Sequence, residues 1–279
     1  MKKLNITEEL LNKFALELEN QEKSAATREK YMRDARRFAQ WTGESDVDKA
    51  LMLEYKAELG CEYSPRSANS MLASLNSLFR FAGRDDLRVK QFRLQREAYC
   101  SENSELTREE YARLVAVAER RDERCALMLQ TICCTGMRIS ELRYITVEAA
   151  RRGETTVSCK GKTRKIFIVS ALRDKLLRFA AKQGTKYGPV FITQNGLPID
   201  RSNVWRRMKR LCKEACVPPQ KVFPHNLRHL FARVFYENER DIAALADILG
   251  HSSVNTTRIY IITTGTEHKR KMENMNLIT

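Results

Sequence analysis

The chain has 279 residues, 43% of them hydrophobic and 30% charged, a balance that suits globular domains with buried cores and, at this length, two of them. Lys+Arg number 50 against 35 Asp+Glu, and the net charge of +15 points to a polyanionic partner, nucleic acid before an anionic membrane surface. No apolar run approaches the roughly 20 residues that cross a bilayer, and the opening MKKLNITEELLNK lacks the apolar stretch of a secretory signal, so a cytoplasmic protein without membrane association is expected.

In chain order, the first 85 residues read as four helices. Thr7 can cap the first, ITEELLNKFALELEN, and the second is SAATREKYMRDARRFAQW, with Tyr31, Phe38 and Trp41 on one face. The third, DVDKALMLEYKAELG, spaces Val47, Leu51, Tyr55 and Leu59 four apart, with Gly60 expected as its C-cap. The fourth starts on Ser64 with Pro65 at its first position, turns Met71, Leu72, Leu75, Leu78 and Phe79 inward, and ends at Gly83. Periodicity is lost in the charge-rich DDLRVKQFRLQREAYCSENS. A helical domain over 1–88, a linker over 89–104 and a second domain over 105–279 are therefore expected.

The second domain opens on TREE, a capping box pairing Thr107 with Glu110. It reads as mainly helical, with one β signal: TTVSC, then KGKTR, then KIFIV, a hairpin with Gly161 in its turn. SNVWRRMKRLCK and the amphipathic DIAALADILGHSS are further helices, the latter ended by Gly250. Basic residues cluster: residues 201–236 hold nine Lys/Arg against Glu214 alone, 151–165 hold six against Glu154, and 23–37 hold six against Glu29 and Asp34. Basic stretches along the whole chain suit a protein that wraps a duplex.

Several chemistries are excluded or unsupported. The eight cysteines form no CxxC pair, and Cys212 and Cys216 have no second ligand pair after them, so no disulfide framework and no metal are expected. Around Gly161-Lys162-Thr163, Thr156 stands where a phosphate-binding loop needs glycine, and no GxGxxG occurs. No cofactor is expected. HNLRH has His225 and His229 at i,i+4 but no glutamate after the first histidine, so it is not a metalloprotease signature.

What remains is a set. CTGMRISEL carries Arg138 and Glu141, CKGKTRK carries Lys160, PHNLRHLFA carries His225 and Arg228, and LGHSSVNTTRIY carries His251 and Tyr260. Two arginines can grip the non-bridging oxygens of a phosphodiester with planar, permanently charged forks. A tyrosine can attack phosphorus and leave a covalent link, a histidine can take its proton, and a lysine can protonate the leaving oxygen. Guanidiniums supply the positive charge, so no metal is required.

These boxes, in this order, resemble the tyrosine recombinase (phage integrase) family over roughly residues 105–265, and the preceding helices resemble its SAM-like core-binding domain in architecture. The resemblance implies a mainly α fold with a small hairpin, the two domains forming a C-shaped clamp on double-stranded DNA. It implies a site-specific recombinase that cleaves and rejoins strands through a 3′-phosphotyrosyl link at Tyr260. Arg138 and Arg228 would clamp the scissile phosphate. Lys160 would protonate the 5′ leaving oxygen, unless Lys162 does so. His225 would act as general base or phosphate ligand, His251 would hydrogen-bond the phosphate, and Glu141 would hold its neighbours in place.

DNA contacts are expected from Arg206, Arg207, Lys209 and Arg210, from Lys162 and Arg164 on the hairpin, and from Thr27, Lys30, Arg66 and Asn69 in the first domain. A single helical domain before the catalytic one matches the shorter, Xer-like plan, and the 19 residues after Tyr260 would pack on a neighbouring protomer in a tetramer. Two alternatives are a type IB topoisomerase-like nicking-closing enzyme and a non-catalytic helix-turn-helix regulator built on DIAALADILGHSSVNTTRIY. The second leaves Arg138, Lys160, His225 and Arg228 unexplained.

Overall fold

The computed structural model describes residues 4–43, 45–94, 105–159, 162–193, 195–251, 253–260 and 273–274, and the chain divides into two units, Met1–Arg96 and Glu97–Thr279. In the first unit the four expected helices form: α1 (Glu8–Asn20), α2 (Ala25–Thr42), α3 (Lys49–Glu62) and α4 (Pro65–Phe81). Each begins on a side-chain cap, since Thr7, Ser24, Asp48 and Ser64 accept backbone N–H groups of the first turn. Those donors have no carbonyl within the helix to reach. Phe14, Phe38, Tyr55, Leu72, Leu75 and Phe79 are among the buried side chains that join the helices.

Gly60 does not end α3. The helix continues to Glu62, and Tyr63 follows as its cap. A Cβ at Gly60 would stand 3.0 Å from the Phe92 ring, so this glycine serves a close approach and not a turn. Phe92 lies in the stretch where helical periodicity stops. That stretch is held on α4 by two side-chain amides: Asn76 bonds both backbone groups of Val89, at 2.9 and 3.0 Å, and Asn69 both of Phe92, at 2.9 and 2.7 Å. Side-chain amides here replace the backbone partners that a strand or helix would supply. Residues 95–104 lie outside the described residues.

The second unit runs α5 (Arg108–Arg121), α6 (Glu123–Thr135), a 3-10 segment (Ile139–Tyr144), α7 (Val147–Arg152), β1 (Glu154–Cys159), β2 (Lys162–Phe167), α8 (Ser170–Lys182), α9 (Arg201–Leu211), α10 (Pro224–Glu239), α11 (Ile242–Leu249) and α12 (Val254–Arg258). The Thr107–Glu110 capping box makes both of its bonds, 3.1 and 2.9 Å. α6 is buried on nearly every side and is packed by α5, α8, α9 and α10, as a helix apolar all round should be.

β1 and β2 pair antiparallel from Glu154↔Phe167 to Cys159↔Lys162. β2 therefore starts at Lys162, earlier than the apolar KIFIV suggests. The outer face of a half-buried strand tolerates Lys, Thr and Arg, so hydrophobicity alone does not mark its start. A smaller apolar cluster of Ala232, Leu245, Leu249 and Tyr260 joins α10, α11 and the segment just after α12. Among the described residues no helix is long and apolar enough to cross a membrane.

Candidate active site

Two glycines and a proline set the site up. Gly136 ends α6 with φ +62°, turning the chain so that Met137 is buried and Arg138 emerges. Pro224 opens α10, where its missing N–H would be unpaired anyway, and places His225, Arg228 and His229 along one side of the helix. Gly250 ends α11 with φ +66°, and the His251 N–H reaches back to Ala246 O at 2.9 Å in a Schellman-type turn.

Arg228 is the centre. It is 1% exposed, and its bonds go to two carbonyls and a histidine. Nη1 donates to Gly136 O at 2.6 Å, and Nη2 to Leu249 O at 2.7 Å and to His251 Nε2 at 3.0 Å. The last carbonyls of α11 carry the negative end of its dipole, which helps to hold the cation. An arginine only donates, so His251 Nε2 is the acceptor and the proton of the neutral ring sits on Nδ1. Nδ1 then donates to Thr257 Oγ1 at 2.8 Å. Thr257 is fully buried in α12, and its carbonyl takes the Tyr260 N–H at 2.9 Å.

This chain of contacts delivers Tyr260, 8% exposed, to three imidazoles. Its ring centroid lies 4.3 Å from that of His229, 5.2 Å from His251 and 5.4 Å from His225. The guanidinium carbon of Arg228 is 5.9 Å from the same ring centroid. Arg228 Nε and His229 Nδ1 are buried without hydrogen-bond partners among the described residues.

Glu141, 4% exposed, frames the other side. It caps the 3-10 segment by accepting the Arg138 N–H at 2.7 Å, takes Arg138 Nη1 at 3.2 Å, and takes Arg164 Nη2 at 2.6 Å. Positive charge dominates what results. Burial, then Arg138, bring Arg228 down to about 10. Burial, then Arg228, Arg138 and Arg164, push His251 down to about 4. Burial, then His225 and Arg228, push His229 down to about 4. Desolvation, then Arg228, Arg138 and Arg201, also hold His225, the most exposed of the three, below its ordinary value. The three rings are neutral at pH 7, and Arg138, Arg164 and Arg228 share one carboxylate, Glu141, among the described residues of the site.

The structure thus brings together Arg138, Glu141, His225, Arg228, His251 and Tyr260. Lys160 lies outside the described residues, as does the side chain of Lys162. The tail after Tyr260 lies outside them too, except for residues 273–274. α12, where the helix-turn-helix alternative places its second helix, is only five residues long.

Several side chains expected at DNA have partners within the protein. Arg164 turns inward to Glu141 and Ile248 O. Asn69 is buried, with its amide occupied by Phe92. Lys30 bonds Asp34, Ser70 O and Ser74. Arg207 ties α9 to Asp122 at the start of α6, and Lys209 donates to Pro219 O. Thr27 bonds Ser24 inside its own cap. Arg66, Arg206 and Arg210 are exposed. His229 and Thr257 are site residues that the sequence does not single out. The i,i+4 spacing of HNLRH points at His229, but only as half of a metal pair. Among the described residues no group of three or more His, Cys, Asp or Glu side chains could hold a metal ion.

A tyrosine ring packed against three neutral imidazoles and a buried guanidinium thus lies in the second unit of a helical two-unit chain. The phage integrase family model matches residues 104–266, and the phage integrase N-terminal SAM-like domain matches residues 11–86. The chain is 31% identical over 275 residues to tyrosine recombinase XerA of Thermococcus kodakarensis, covering 95% of this chain and 94% of that protein. It is 29% identical over 286 residues to XerA of Pyrococcus furiosus, covering 100% and 98%. Among solved structures, a lambda integrase tetramer bound to a Holliday junction shares the fold with a TM-score of 0.74 at 18% identity, over 90% of this chain and 76% of that one. The chain belongs to the phage integrase family, the tyrosine recombinases.

Proposed function

We propose that the chain acts in the cytoplasm on double-stranded DNA carrying a specific recombination site, and that it cleaves and rejoins strands through Tyr260. Tyr260 Oη attacks the scissile phosphorus, the bond to the 5′ oxygen breaks, and a 3′-phosphotyrosyl link forms. The phenolic proton passes to a neutral histidine, His225 by its exposure. The 5′ oxygen takes a proton from Lys160, with Lys162 as its alternate. A free 5′ hydroxyl from another strand reverses the step, so the bond energy is conserved without ATP. Arg138 and Arg228 balance the charge that develops on the phosphate, and no metal is needed for that. The lambda integrase of this fold binds a Holliday junction as a tetramer, and a tetramer on paired sites is the expected working form of this chain.

The observation that carries this reading is the packing of Tyr260 against three imidazoles and Arg228. Arg228 is covered, so its charge acts on the phosphate either from beneath Tyr260 or after that side chain moves. Exposed Arg206 and Arg210 on α9 and Arg66 on α4 are suited to the DNA backbone.

The test begins by selecting a duplex from a random-sequence pool with the Tyr260→Phe chain. A nicked version of that duplex is then incubated with the unaltered chain. A covalent protein–DNA adduct that resists SDS is expected, unaffected by EDTA and absent with Tyr260→Phe. An adduct that persists in the Phe variant refutes the nucleophile. Relaxation of plasmid lacking the selected sequence would favour a topoisomerase.

A further inference from the structure

Arg164 is 10% exposed, although it belongs to a strongly basic hairpin. Its guanidinium joins three segments. Nη2 holds Glu141 Oε2 at 2.6 Å, on the 3-10 segment that follows Arg138. Nη1 donates to Ile248 O at the end of α11, two residues before Gly250 and three before His251. The stem itself starts from β2, the strand that follows Lys160. A Cβ on Gly250 would stand 2.4 Å from Arg164 Cδ, so the glycine that ends α11 also admits this side chain.

The charges lead further. Glu141 carries one negative charge and faces two guanidiniums, Arg138 at 3.2 Å and Arg164 at 2.6 Å. With both present, one positive charge is left over, and Arg138, the more exposed of the two at 37%, can offer it to an anion. Without Arg164, Glu141 would be balanced by Arg138 alone. A buried carboxylate keeps its cation close, so Arg138 would be drawn off the phosphate. Arg164 is also among the charges that push the His251 value down, so its field reaches the site.

We propose that Arg164 is a positioning residue: it neutralises Glu141 so that Arg138 keeps its charge for the scissile phosphate, and it locks the hairpin and the His251 turn onto that frame. This rests on the reading of Tyr260 as a nucleophile toward a phosphodiester. A residue that contacts DNA would be expected to act on affinity. Arg164 acts on the rate of the chemical step.

The test uses the nicked duplex selected by the Tyr260→Phe chain and measures its Kd and the single-turnover rate of adduct formation. The chains compared are unaltered, Arg164→Gln, Arg164→Lys, Glu141→Gln and the Arg164→Gln/Glu141→Gln pair. Arg164→Gln is expected to slow the adduct roughly ten- to hundredfold with Kd changed less than about twofold. The pair is expected to be faster than Arg164→Gln alone by roughly tenfold, because a neutral amide at position 141 no longer competes for Arg138. Loss of a purely architectural contact would give a pair no faster than either single variant. An Arg164→Gln chain at the unaltered rate, a loss carried entirely by Kd, or a pair as slow as Arg164→Gln each overturns the proposal.

If Arg164→Gln does not fold, Arg164→Lys decides. It keeps the charge and must react within roughly tenfold of the unaltered chain, and a slower rate overturns the proposal. Failure of the unaltered chain to form any adduct overturns the Tyr260 reading and this proposal together. An active unaltered chain with an unaffected Arg164→Gln overturns this proposal alone.

Discussion

Arg228→Lys keeps a charge at the centre of the site and removes the fork. The arginine serves Gly136 O at 2.6 Å, Leu249 O at 2.7 Å and His251 Nε2 at 3.0 Å from a position 1% exposed. An ammonium is a point donor on a shorter stem and cannot reach carbonyls on two elements and an imidazole together. At least one buried carbonyl loses its donor, which costs about 1–3 kcal/mol, and the charge-assisted bond lost with it is worth about 1.5–3 kcal/mol. The two overlap, so a net loss of about 2–4 kcal/mol is expected, a large part of a stability of about 5–15 kcal/mol.

Urea unfolding should show this as a lower midpoint at unchanged slope. The rate of adduct formation should fall by about 10²- to 10³-fold, the usual effect of losing a preorganised donor. Arg210→Lys, on the exposed face of α9, should change stability by less than about 0.5 kcal/mol. An Arg228→Lys chain with an unchanged urea midpoint would refute the anchoring argument, whatever its activity.

Gly136→Ala should cost about 2–4 kcal/mol, combining left-handed strain at φ +62° with a Cβ placed 2.4 Å from Phe231 Cδ1. Gly153→Ala has the same strain at φ +75° but a nearest neighbour at 3.7 Å, and should cost only about 1 kcal/mol. Equal losses at the two positions in urea unfolding would sink the steric part. Stability should also fall on acidification. His229 and His251 both titrate near 4 in the folded chain, against about 6.5 when unfolded. Between those values the unfolded state binds more protons, so the contribution is complete above about 6.5 and is lost as pH falls toward 4. The loss is at most about 1.4 kcal/mol per pH unit for His229, and less for His251, which solvent partly screens. Unfolding midpoints from pH 7 to pH 5 should decline, and His229→Phe should flatten the decline; a rising midpoint would contradict the assignment.

The features legible in the sequence are local ones. Caps at Thr7, Ser64 and Thr107, apolar spacing along α4, and the glycine at 250 are fixed within a few residues, and the helices follow from them. The order of the site boxes is legible for the same reason, since each is a short pattern around one helix end or turn. Gly60 misleads because glycine serves both turns and close approaches, and only the fold brings Phe92 against it. The 89–94 part of the expected linker reads as unstructured because its partners are the side chains of Asn69 and Asn76, which periodicity does not register.

The basic residues mark the limit most clearly. A guanidinium has five N–H donors, and whether it faces DNA or the protein depends on how many acceptors the fold already aims at it. Arg164 and Arg206 look alike in sequence, yet Arg164 meets Glu141 and Ile248 O while Arg206 projects from α9 beside Asn203. Net charge therefore identifies the partner class but not the contact residues. The converse holds at the centre. Arg228 and His229 are buried beside Tyr260 with an unpartnered nitrogen each among the described residues. Buried polar atoms left unsatisfied are costly, and a fold retains them where a later partner makes use of them. Both lie against Tyr260, where the guanidiniums outnumber the one carboxylate, Glu141, so the costliest buried polar groups gather at the place that the sequence boxes mark.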